Sequence, residues 1–146
     1  MHASTDNSEA QEFEFNVSID GGSNYNVAKT TTTFRSGHNE TDTTTQLSYV
    51  GSYDLAQGTG YQLIAQYVGN GNDESCSGTL HLFDPSNTTF VKHYTSRFIA
   101  NGSSNFSADY WVSGFINTTS AITTVKFLMA GGDFDSGQIS LYGVKG

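Results

Sequence analysis

The sequence predicts an all-β protein: an antiparallel β-sandwich of jelly-roll type, with about nine strands and a short N-terminal arm. Three observations carry this prediction. Ser and Thr fill 36 of the 146 positions and Tyr plus Phe another 18, against a single Pro, which is a β-branched and aromatic composition. Apolar residues recur with period two in stretch after stretch, and no segment sustains the i, i+3, i+4 spacing of a helix. Clusters of Gly, Asn, Asp and Ser interrupt these stretches at short intervals, as turns do in sandwiches and barrels.

In order along the chain, "EFEFNVSI" (12–19) alternates strictly, with Phe13, Phe15, Val17 and Ile19 on one face and Glu14, Asn16 and Ser18 on the other. It reads as a half-buried strand. "DGGSN" turns the chain. "VAKTTTTFR" reads as a strand of weaker register, at a sheet edge, with Lys29 and the threonines facing water. "SGHNETD" breaks the chain before "TTTQLSYV" and "YQLIAQYV". The loop 69–78 has no apolar residue except Cys76. "TLHLFD" and a long strand over 88–100 follow, separated by "PSN". "ADYWVSGFIN" carries the only tryptophan, Trp111, which is expected to fill the sandwich core. "AITTVKFLMA" and the turn "GGDFDSG" lead to "QISLYGV", where Ile139 and Leu141 are expected to face inward. Gly143 is expected to bulge and return Val144 to the core side.

A chain of this length is one domain, divided here into an arm, 1–11, and a sandwich, 12–146. It needs no disulfide, and the lone Cys76 can form none internally. The net charge is −8, with only 6 Lys and Arg, which argues against nucleic acid and anionic membrane as partners. There is no apolar run long enough for a membrane helix and no secretory leader pattern. The arm is polar and acidic, and is expected to be held by a neighbouring chain.

No catalytic signature emerges, so an enzyme is not expected. G-x-S-x-G is absent, and Cys76 follows Asp73 and Glu74, which would raise its pKa. His81 and His93 lie on either side of the "DPSN" turn without a third metal ligand. Asp73 with Glu74, and Asp133 with Asp135, fall short of the spaced acidic pattern of a calcium loop. No metal or cofactor is therefore expected. Two sets of residues suit binding. Lys92, His93 and Arg97 form a local positive segment for an acidic partner surface, including the arm residues His2, Asp6 and Glu9 of a sister subunit. Tyr110, Trp111 and Phe134 would suit stacking on a sugar.

The stretches "SGTLHLFDPSNTTFVKHYTSRF" and "AITTVKFLMAGGDFDSGQISLYGVKG", with "SIDGGSNYN" upstream, resemble a recurrent type of tailed-bacteriophage virion protein. The matching elements are Ser77–Gly78, Pro85 to Thr95, Ala121–Ile122 and Ser136 to Lys145. The segment 30–50 has no counterpart. The resemblance implies a homotrimeric β-sandwich on the virion surface, made in the bacterial host cytoplasm. With one sandwich and a short arm, the expected role is a capsid decoration protein, partnered by itself and by the major capsid protein. The alternative is a fibre module that recognises host-surface glycan.

Overall fold

The computed structural model describes residues 1–4, 11–102 and 105–144. It is an antiparallel β-sandwich with eleven strands among the described residues. These are β1 (His2–Ser4), β2 (Gln11–Ser18), β3 (Lys29–Asn39), β4 (Thr45–Tyr49), β5 (Ala56–Gly58), β6 (Gln62–Val68), β7 (Ser75–Leu82), β8 (Lys92–Gly102), β9 (Phe106–Ile116), β10 (Thr124–Ala130) and β11 (Asp133–Ser136). The smaller sheet runs β10-β2-β6. The larger runs β4-β3-β9-β8-β7, with β5 added to β3, and β1 pairs with β11. Three strands thus face six, rather than two matched sheets facing each other.

The alternation predicted for 12–19 closes the two layers. Phe15 meets Tyr94 edge-to-face at 5.0 Å, and Phe13 meets Phe98 at 5.4 Å, so β2 of one sheet docks on β8 of the other. The core continues through Val17, Ile64, Val68, Tyr110, Val112 and Ile116. The other side of β2 is wetter in the sequence than in the fold. Asn16 and Ser18 are buried because the connection to β3 wraps back over them, with Asn16 Nδ2 donating to the Tyr25 carbonyl at 2.8 Å. The "DGGSN" turn is held by Asp20, which accepts from Ser18 Oγ and Asn24. Those hydrogen bonds, from Ser18 first and then Asn24, lower its pKa to about 2.

Several expectations are corrected. β3 is not an edge strand: it is paired with β9 over its whole length and flanked by β4 and β5 on the other side. Its odd positions face the core, so Thr31, Thr33 and even Lys29 are buried. Lys29 and Lys92 sit opposite Ile116 from the two neighbours of β9. A buried ammonium must have its protons satisfied. Lys29 Nζ donates to Asn16 Oδ1 (2.6 Å) and the Val27 carbonyl (3.1 Å), while Lys92 Nζ donates to the carbonyls of Phe90 (2.9 Å), Thr119 (3.0 Å) and Thr118 (3.3 Å). The strand predicted over 88–100 begins only at Lys92 and leaves Phe90 exposed.

Both ends of the sequence reading change. The start of the arm is held by its own chain: β1 pairs with β11, and the Cys76 amide donates to the Met1 carbonyl at 2.8 Å. Gln11 already belongs to β2 and is buried. The predicted "GGDFDSG" turn therefore contains a strand. Residues 138–144, predicted as the closing strand, have no ladder partner among the described residues, and Leu141, Tyr142 and Val144 are 96%, 83% and 95% exposed. Neither Ile139 nor Leu141 is in the core.

Candidate functional site: the outer face of the larger sheet

Because β3, β9, β8 and β7 pair without a register slip, their alternate residues form straight rows across the outer face. The central row reads Tyr49–Phe34–Trp111–Arg97–Thr79, each residue directly opposite the next. The row beside it reads Leu47–Ser36–Asp109–Ile99–Ser77. A third joins Thr32, Ser113, Thr95 and His81. Tyr49, Leu47, Phe34, Ile99 and Trp111 are all exposed here.

Trp111 stands between two neighbours. Phe34, from β3, lies parallel to it (5.8 Å, 5° between planes), and the Arg97 guanidinium, from β8, lies 4.3 Å from its centroid. With β9 between those two strands, the indole has one partner on each side. The guanidinium lies over the indole, and 38% of the residue is exposed. Trp111 thus lies on the outer face and not in the core, where it was expected from sequence. Arg97 is also tied to Asp109 by a two-toothed ion pair, the closest contact being Nη2 to Oδ2 at 2.7 Å. That bond, the largest influence, raises the Arg97 pKa further.

The charge consequence is simple. Arg97 and Asp109 are the only formal charges among the outward residues of these strands, and they cancel. A chain of net charge −8 therefore presents one broad face that is neutral, Ser/Thr-rich and studded with exposed aromatic and aliphatic side chains. Charge depletion with aromatic enrichment marks interaction surfaces, and exposed apolar patches of this kind rarely lack a role.

The residues expected to bind are distributed differently from the prediction. Lys92 is removed from any surface role by its burial, while His93 and Arg97 do share the outer face. Tyr110 is buried, its hydroxyl donating to the Gln66 carbonyl at 3.3 Å, and burial pushes its pKa well above the usual tyrosine range. Phe134 packs its edge against Phe13 at 5.9 Å. His2 falls in β1, and Asp6 and Glu9 lie outside the described residues. His81 and His93 share a face but are not cross-strand partners: His81 lies opposite Thr95. Each instead lies beside a phenylalanine, Phe83 and Phe115.

Other chemistry is sparse among the described residues. No group of three or more His, Cys, Asp or Glu is placed to hold a metal ion. Glu74, just before β7, and Asp135, in β11, line one open cleft with Met1 and Ser136, and Glu74 already accepts from the Gly71 amide at 2.8 Å. The Cys76 thiol is buried, which raises its pKa. Sequence reasoning missed Tyr49, Phe34 and Leu47 as site residues. The available signal was the alternation of Leu47 and Tyr49 with Gln46 and Ser48, and of Phe34 with Thr33 and Arg35, once β3 is known to be central. Comparison with family models, with curated proteins and with solved structures gives no match.

Proposed function

We propose that the chain is a non-enzymatic structural protein of a bacteriophage virion, a capsid decoration protein that binds and stabilises the assembled head. The observation that carries this reading is the neutral, aromatic-bearing outer face of the larger sheet, taken together with the sequence resemblance to phage virion proteins. A flat sheet face suits a flat partner, and here that partner is the major capsid protein. Binding only the assembled shell stabilises it by mass action. The remaining surface carries the chain's negative charge and keeps unassembled copies apart in the host cytoplasm. The Arg97 guanidinium over the Trp111 ring competes with the stacking on host glycan that the fibre module would need.

The test uses purified protein and empty expanded capsids of the cognate phage. Co-sedimentation with the capsids is expected, and Leu47→Asp combined with Phe34→Ser should weaken it at least tenfold without unfolding the protein, because both side chains are exposed. Absence of capsid binding, together with competition for phage adsorption to host cells, would replace this reading by the receptor-binding one.

A further inference from the structure

We propose that residues 138–144 are an exchange strand that completes the smaller sheet of a second copy of this chain, pairing along the free edge of β10. The donor side of this contact is visible in the sequence and in its exposure. "QISLYGV" alternates Ile139 and Leu141 with Gln138, Ser140 and Tyr142, the pattern of a strand with one face in a core. In the single chain that pattern is unused. Ile139 is half in solvent and Leu141 and Val144 almost wholly so, and Gln138 Nε2 donates locally, to Ser140 Oγ at 3.2 Å.

The acceptor side is equally unfinished. β10 pairs with β2 and, among the described residues, has no strand on its other edge. Val125 and Phe127 face the core from β10 but are only partly buried, as are Leu80 and Leu82 on the inner face of β7. These residues mark the flank where three strands fail to cover six. One more strand beside β10, apolar on its inner side, would cover them. An open edge with unpaired amides and carbonyls is a template for strand addition.

A second copy is the partner that fits both halves. Each chain carries one donor strand and one acceptor edge, so copies satisfy each other reciprocally and a closed assembly leaves neither unpaired. An unrelated partner would have to bring both complements. The segment leaves from the β1–β11 pair and not from the edge of β10: residues 133–136 are paired with β1, and Gly137, at φ +150°, lies against Met1. Charge does not oppose the contact. Residues 138–144 are uncharged and β10 carries only Lys126, so two copies of net charge −8 meet here without facing acids.

This inference is independent of the capsid reading, and its test needs no capsid. The full chain is sedimented across a concentration series while amide exchange is followed over residues 138–144. A closed oligomer is expected, in which those amides exchange roughly 100-fold more slowly than in the dissociated chain. Leu141→Asp, and separately deletion of 138–146, should give a folded monomer with the exchange of β2 and β8 unchanged. A full chain that stays monomeric, with these amides protected at every dilution, means that the segment folds onto its own sheet and overturns the proposal. An oligomer in which they remain unprotected, or one that survives Leu141→Asp, overturns it too.

Discussion

Residues 12–18 and 138–144 are written in the same alternating hand and end in opposite environments. In β2, Phe13, Phe15 and Val17 have the larger sheet beneath them, β10 on one side and β6 on the other. In 138–144, Ile139 and Leu141 keep the same spacing and lie in solvent. Period two states that a segment can present one apolar face. Whether that face is covered depends on which strand edge is left free beside it. The same contrast holds for charge. Lys29 and Lys92 lie inside because carbonyls surround their ammonium groups, whereas Leu141 lies outside because nothing surrounds it.

The contrast breaks first at Phe15. Replacing it by Ala removes the ring that meets Tyr94 and should cost about 3–5 kcal/mol in urea unfolding. A loss below about 1 kcal/mol would mean that the sheets do not close on this side chain.

A smaller effect tests the polar side of the same strand. The pKa of Lys29 is lowered to about 8 by its burial, against an ordinary value of 10.5. Between those values the unfolded chain binds more protons than the folded one, so this residue makes stability rise with pH over that window. The urea midpoints of the wild type and of Lys29→Met should therefore diverge from pH 8 to 9.5, with the wild type gaining relative to the variant. The comparison must be a difference, because burial raises the pKa values of Cys76, Tyr94 and Tyr110. Those groups lose stability as pH rises through the unfolded-state values. Parallel pH curves would show that Lys29 is neutralised or solvated in another way.

The smallest effect belongs to the other region. At concentrations where the chain is monomeric, Leu141→Ser should change stability by less than about 0.5 kcal/mol, as for other exposed positions. A loss comparable to that of Phe15→Ala would place 138–144 in the monomer's own core and erase the contrast.

Much of this fold was legible in the sequence. Strands at 11–18, 62–68, 106–116 and 124–130 follow from alternation and turn residues. Period two also sets Tyr110 and Trp111 on opposite faces, but it does not say which is inward: Trp111 was expected there, and the fold buries Tyr110. The candidate face was less legible. A string of four threonines reads as an edge strand when nothing marks its neighbours, and Lys92 beside His93 and Arg97 reads as a basic patch until strand direction turns it inward.

By itself, the sequence determined the all-β class, the turns and the two faces of each strand, because backbone sterics and side-chain alternation are local properties. Only the tertiary structure decided that β3 is central, that β1 pairs with β11, that two lysines are buried and that 138–144 is unpaired among the described residues. These outcomes depend on which distant strand edges meet, and on whether a carbonyl or a sheet is in place to receive the side chain that local rules merely aim.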